Sequence, residues 1–284
     1  MVETFKLNNG VEMPKLGFGV FQIDDAQQCE QAVLDALKVG YRLIDTAATY
    51  GNERAVGKAI VESDVPRSEI FISSKVWIQD AGYEKTKASF EKTLANLQTD
   101  YLDLYLIHMP LGDYHGSWRA MEELYEAGKI KSIGVCNFEA DQLIDLILSH
   151  HVKPAVDQLE LHPFWQQNQL RDVMAKYEVQ PMAWAPFAEG KHQLFTDPTL
   201  TAIGKKYGKT AAQVTLRWLI QNNIVAIPKS VHTERMQQNF DVSDFSLSNA
   251  DLIQVNDLDL KEPAILDIHR LTEVYRLHGI KFEQ

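Results

Sequence analysis

The chain has 284 residues, 45% of them apolar and 24% charged, and a net charge of −11. That apolar share is enough for one large buried core and argues against disorder, while no run of about 20 apolar residues offers a membrane span and so acidic a balance excludes general binding to DNA or anionic membranes, which reward clustered lysine and arginine. Only Cys29 and Cys136 are present, far apart and in neither a redox nor a zinc spacing, so no disulfide framework is expected and a reducing compartment fits.

The start, MVETFKLNNGVEMPKLG, carries no basic region followed by an apolar run and no small-residue cleavage site, which makes cytoplasmic residence the expectation. TFKLNNGVEMP then alternates apolar and polar residues around Asn9-Gly10, a dipeptide suited to a type I′ hairpin turn, so an N-terminal β-hairpin is predicted. Strand-like runs follow near residues 16–19, 41–45, 70–75, 103–108, 131–135, 154–158, 179–184 and 224–227, separated by amphipathic helical stretches. One of these, DAQQCEQAVLDALKVG, starts on acidic residues, carries apolar residues at helical spacing and ends in Gly40. Between the last two strands come two helical stretches, 196–207 and 210–222, and a further helix near 247–257 precedes a short irregular tail. No Pro, Gly or Ser-rich linker divides the chain. The alternation predicts an α/β fold, a parallel (β/α)8 TIM barrel spanning residues 1–284 as one domain.

Three of the strand-like runs end on titratable residues. LIDTAATY brings Asp45 and Tyr50, FISSK brings Lys75, and LDLYLIH brings His108. In a parallel barrel the strand ends converge on one face, so these four side chains should meet. A lysine ammonium beside a phenol favours the phenolate and is expected to draw its pKa, about 10 in model compounds, toward neutrality, while a buried acid keeps the lysine charged and aimed. The set suits protonation of an oxygen that becomes alkoxide-like as a carbonyl accepts a hydride. Alone, Asp45 or Lys75 would read as an ion-pair member and Tyr50 as a packed aromatic; their joint placement at successive strand ends favours chemistry.

These segments, with SSK at 73–75 and LIH at 106–108, resemble the catalytic tetrad of the aldo-keto reductases, and the likeness extends over nearly the whole chain. The resemblance implies Tyr50 as general acid, Lys75 as the group that tunes it, Asp45 as the holder of Lys75, and His108 as the donor that orients the carbonyl. A hydride must come from a cofactor, yet no G-x-G-x-x-G lies between a strand and a helix, and Gly17-Phe18-Gly19 is too short a match. IPKSVHTERMQQN, residues 227–239, is instead similar to the family's adenosine 2′-phosphate site, with Lys229, Ser230, Arg235 and Asn239 in the matching positions. NADPH is therefore expected, with NADH as a weaker alternative because Gln238 and His232 depart from the residues usual in the family. The resemblance also assigns Asn137, Gln158 and Trp184 to a nicotinamide clamp, with Cys136 where a serine is common. It gives Phe21, Trp77 and Met109 to the substrate pocket beside His108.

Met109 replaces a frequent tryptophan and, being flexible, favours breadth of substrate. The tail, with Ile265, Leu266, His269 and Arg270, could arch over the site and is similar to that of small bacterial members acting on glyoxal, methylglyoxal or diketo sugar acids. The expected reaction is reduction of small aldehydes, α-dicarbonyls or keto sugars, by a monomer with no nucleic-acid or membrane partner. A nicotinamide-binding sensor on the same fold is the competing reading. His162, His150 and His151 supply no ligand set, so no metal is expected.

Overall fold

Alternation along each strand sorts the side chains into two cores. The computed structural model describes residues 3–284. It opens on an antiparallel hairpin, β1 (Thr4–Lys6) and β2 (Glu12–Pro14), with Phe5 opposite Met13. The turn differs from the type I′ expected. Gly10 N donates to Leu7 O at 2.9 Å and only Gly10, at φ 89°, adopts the left-handed region, so Asn8 and Asn9 form an ordinary turn and Gly10 the following bulge. This type I plus bulge loop is the next commonest way to close a hairpin.

Eight parallel strands follow in the order of the chain: β3 (Phe18–Gly19), β4 (Leu43–Asp45), β5 (Phe71–Val76), β6 (Leu104–Ile107), β7 (Ile133–Cys136), β8 (Val156–Glu160), β9 (Gln180–Trp184) and β10 (Val225–Ala226). The sheet closes on itself, since Leu16 bridges Ala226, Gly17 N donates to Ala226 O at 2.9 Å and Gly19 N to Pro228 O at 3.1 Å. Closure leaves no barrel edge to template aggregation. Leu43, Leu104, Leu106, Val156, Met182 and Val225 cluster inside the barrel, plugged from below by Leu7 and Met13 of the hairpin. Their neighbours Ile44, Ile72, Ile107, Ile133 and Leu159 point the other way into the layer under the helices. This is the period of two acting on strands buried on both faces.

The helices are α1 (Ala26–Val39), α2 (Glu53–Glu62), α3 (Tyr83–Leu97), α4 (Tyr114–Glu126), α5 (Ala140–Ser149), α6 (Asn168–Tyr177), α7 (Pro198–Tyr207), α8 (Ala211–Gln221), α9 (Thr233–Phe240), α10 (Asn249–Asn256) and α11 (Leu271–Gly279). Local chemistry starts and stops them. Asp25 caps α1 by accepting from Gln28 N at 2.7 Å, and Gly40 ends it at φ 123°, a conformation only glycine adopts without strain. Thr210 and Gln213 form a reciprocal capping box on α8, as Ser248 and Asp251 do on α10. The paired helices between β9 and β10 are α7 and α8, as expected. The tail is not irregular throughout, because Leu271–Gly279 forms α11 and its Leu277 is buried against Trp77 and Met109. None of the described helices is long and apolar enough to cross a membrane.

Candidate active site

At the C-terminal rim of the barrel the ends of β4, β5 and β6 bring four polar side chains together. Lys75 is fully buried on β5. Its Nζ donates to Asp45 Oδ2 and to Thr46 O, each at 2.8 Å, and reaches Tyr50 Oη at 3.4 Å. Asp45, the last residue of β4, also accepts from Ser73 Oγ at 2.5 Å and from Gln158 Nε2 at 3.0 Å. Tyr50 ends the short 3₁₀ turn Ala48–Tyr50, which Gly51 closes at φ 69°. His108 follows β6, its backbone N bonded to Val76 O at 3.0 Å and its ring centroid 5.6 Å from that of Tyr50.

Electrostatics in this cluster depart from the expectation for Tyr50. Burial pushes its phenol up to about 12, more than the Lys75 ammonium pulls it down. Removing water from an acid penalises its anion, and one lysine already engaged by Asp45 does not compensate. Burial likewise works against the Lys75 ammonium, but Asp45 and Tyr50 outweigh it and hold the lysine above its ordinary value. Burial, helped by Lys75, keeps the His108 imidazole well below its usual range, so the ring is neutral. Burial also raises the Cys136 thiol well above its ordinary value.

The cluster forms the floor of a pocket of about 610 Å³. Its walls carry Phe21, Trp77 and Met109, with Gln158 and Trp184 beside them. Trp77 meets His108 edge-on at 4.9 Å, and Phe21, half exposed, leans on Tyr50 at 4.9 Å. Asn137 sits at φ 60°, accepting from Trp184 Nε1 at 2.9 Å and donating to His108 O at 3.1 Å. The indole is thus pinned at the mouth of the barrel. Lys229 and Arg235 line the far end of the same pocket, both exposed, and among the described residues neither is salt-bridged to a carboxylate. Two unpaired cations beside the N-terminus of α9 form a donor set that fits an anionic group such as a nucleotide phosphate.

Not every residue singled out in the sequence reaches the pocket. Ser230 is buried and accepts from His232 N at 3.0 Å, closing the turn into α9, and Asn239 is buried within α9. From the tail, Ile265 and Leu266 line the pocket. His269 and Arg270 are exposed instead, with Arg270 paired to Asp267 at 3.1 Å. His150 follows the last turn of α5 and bonds Glu122 at 3.2 Å.

Several contributors were missed. The Thr46 carbonyl and Ser73 hydroxyl complete the Lys75 and Asp45 bonding; only the serine, two residues before Lys75 on the same face, could have been read from strand alternation. Phe187 and Phe195 of the loop after β9, and Leu277 and Ile280 at the end of α11, also wall the pocket. That loop holds Ala185, Ala188, Glu189, His192 and Gln193 at positive φ, a path no local sequence signal foretells.

Residues 15–260 match the model of the Aldo/keto reductase family. The chain is 48% identical to the glyoxal reductase of Bacillus subtilis over 261 residues, 92% of this chain and 94% of that one. Among solved structures it is similar to an aldo/keto reductase from Brucella melitensis, with a TM-score of 0.88 and 45% identity across 91% of this chain and 100% of the other. It is also similar to a Bombyx mori aldo-keto reductase in complex with NADP, with a TM-score of 0.88 and 32% identity across 94% and 96% of the two chains.

Proposed function

The chain belongs to the aldo/keto reductase family, and from that premise we propose that it reduces small α-dicarbonyls and aldehydes to alcohols with NADPH, Tyr50 delivering the proton. One observation carries the reading: Lys75 Nζ is held by Asp45 and Thr46 at 2.8 Å each while it faces Tyr50 Oη at 3.4 Å, on the floor of an otherwise apolar pocket. NADPH held in that pocket would supply the hydride to the carbonyl carbon. The remaining work belongs to the protein. As charge builds on the carbonyl oxygen, Tyr50 donates its proton, and the negative charge left on the phenolate is stabilised by the fixed ammonium of Lys75. A phenol held near pKa 12 is fully protonated at neutral pH and still far more acidic than an alcohol, so transfer to a developing alkoxide runs downhill.

His108 takes the orienting role. Its Nδ1 is buried with no hydrogen-bond partner among the described residues, and a neutral ring keeps its proton where it can be used, on Nε2 toward the pocket. Lys229 and Arg235 are the residues assigned to the 2′-phosphate, which favours NADPH over NADH. Asn137, Gln158 and Trp184 are assigned to the nicotinamide, the pinned indole giving a flat wall against which one face of the ring rests. The preference for α-dicarbonyls is supported by the similarity to a glyoxal reductase.

The test is Tyr50→Phe, assayed by oxidation of NADPH and, separately, NADH with methylglyoxal and phenylglyoxal. Loss of the general acid should lower kcat by roughly 10²-fold or more while NADPH affinity is kept. Near-normal turnover would remove Tyr50 from its role; tight NADPH binding with no wild-type turnover on any carbonyl would favour the sensor reading.

A further inference from the structure

Two residues beyond Gln158 on β8, Glu160 is a carboxylate only 3% exposed that the chemistry at the pocket floor does not use. Its partners come from the C-terminal segment, more than a hundred residues away. Ala264 N donates to Oε1 at 2.7 Å, Ile265 N to both oxygens at 3.0 and 3.2 Å, and Leu266 N to Oε2 at 2.9 Å. His162 Nε2 adds a fourth donor to Oε1 at 3.1 Å. The direction of that last bond follows from the other ring nitrogen, since His162 Nδ1 accepts from Trp165 N at 3.1 Å and the single proton of a neutral ring must then lie on Nε2.

Three successive amides converging on one buried carboxylate form a nest with charge-assisted bonds. Residues 261–270 form neither helix nor strand, so the course of this segment depends on its anchors. Besides Glu160, the 264–266 stretch is held by Lys191 Nζ, which donates to Ala264 O at 2.5 Å. Ile265 and Leu266, whose amides are clamped, are also the two residues of this stretch that wall the pocket. The anchor is rigid on its own side, because Glu160 pairs in register with Trp184 across β8 and β9.

We propose that Glu160 is a positioning residue that straps the 264–266 segment over the pocket and thereby sets affinity for the carbonyl substrate. The proposal rests on the reading of that pocket as the carbonyl site. A carboxylate buried only to stabilise the barrel would affect folding alone; a strap predicts a separate effect on substrate binding with the proton chemistry intact.

Glu160→Gln tests it. The amide keeps the size and one accepting oxygen but turns an NH₂ toward backbone donors, so at least one clamp bond is lost. Hydrogen exchange at the amides of 264–266 should quicken by about tenfold or more, and KM for phenylglyoxal should rise about tenfold with kcat within about threefold and NADPH affinity unchanged, the scale of one lost bond to a charged group. Leu266→Ala is the companion variant, trimming the wall while leaving the clamp; it should raise KM with exchange still slow, and serves if Glu160→Gln folds poorly. Unchanged exchange in Glu160→Gln overturns the clamp. Faster exchange with unchanged KM, or an unchanged KM in Leu266→Ala, overturns its bearing on substrate. Absence of wild-type turnover would overturn the reading of the site and the proposal with it, and is seen before any variant is assayed.

Discussion

Two buried charges illustrate how partners decide what burial costs. Lys75 lies wholly inside the barrel, yet its ammonium meets Asp45, Thr46 O and Tyr50. A hydrophobic pair of the same volume would serve stability as well or better, so stability alone does not account for an ion pair at this position. Asp157, one residue before Gln158, faces the opposite way into the helix layer, and among the described residues neither of its oxygens accepts a well-formed hydrogen bond, the Phe138 amide being the donor close enough to act on it. Burial drives its pKa well up, countered only in part by the Phe138 amide. Because the folded form keeps its proton to higher pH than an unfolded aspartate, the associated stability is fully present below about pH 3.8 and is lost as pH rises through the folded value. At neutral pH the wild type bears that loss. Asp157→Asn, neutral and of the same shape, should therefore be more stable by about 1–2 kcal/mol, roughly 2–4 °C in Tm at pH 7, with the gain shrinking as pH falls toward 4. Thermal melts at both pH values check this; a destabilised variant at pH 7 would mean that the carboxylate has a partner its surroundings conceal.

Between elements, close approach sets the constraint. Gly57 lies on the buried face of α2, where an added Cβ would sit 2.4 Å from Asn96 O and 2.7 Å from the Leu97 backbone at the end of α3. Helix propensity alone favours Ala over Gly by about 1 kcal/mol, but backbone cannot move aside as a side chain can. Gly57→Ala should therefore destabilise, by about 1–3 kcal/mol, read as a lower urea midpoint at unchanged m-value; a stabilised variant would show that α2 and α3 can part freely. The positions of β3 to β10 were legible because each strand is a short apolar run bounded by a helix signal, and the meeting of Asp45, Lys75 and His108 because each lies at or just past the end of such a run. What escaped depends on contacts distant in sequence. The Asn9-Gly10 turn took a type I path with a bulge; α11 was hidden because LTEVYRLHG begins without a side-chain cap. Glu160 was passed over because nothing in LELHP announces amides arriving from residues 264–266. The pKa of Tyr50 was misjudged for the same reason: the lysine is visible in the sequence, and the desolvation that outweighs it is not.

At the scale of the whole molecule, the barrel buries phenols in separate layers, and this gives its stability an alkaline limit. Tyr41 is sealed among α1, α9 and the sheet, donating to Met236 O at 3.1 Å, and burial raises its pKa. Tyr105 lies in the layer under α3, against Phe90 at 5.2 Å; burial raises it too, opposed only in part by the hydroxyls of Ser89 and Thr93. Tyr50, at the floor of the pocket, is pushed up to about 12. Each is raised from 10.0, so the stability each contributes is complete below pH 10 and is lost as pH climbs from there through the folded values. At pH 11 an unfolded tyrosine is about ten-elevenths ionised, and holding it protonated costs about 1.4 kcal/mol, or roughly 4 kcal/mol for the three. That is a large share of the 5–15 kcal/mol typical of a folded protein. The buried Cys29 and Cys136 thiols, raised by burial from 9.0, add to the loss and begin it earlier, so denaturation midpoints should decline gradually above about pH 8.5 and fall steeply by pH 11. Tyr105→Phe sharpens the test: measured against its own stability at pH 8, it should lose about 1.4 kcal/mol less than the wild type by pH 11. If its alkaline loss equals that of the wild type, the limit arises elsewhere, in the growing negative charge of a surface that already carries −11 at neutral pH.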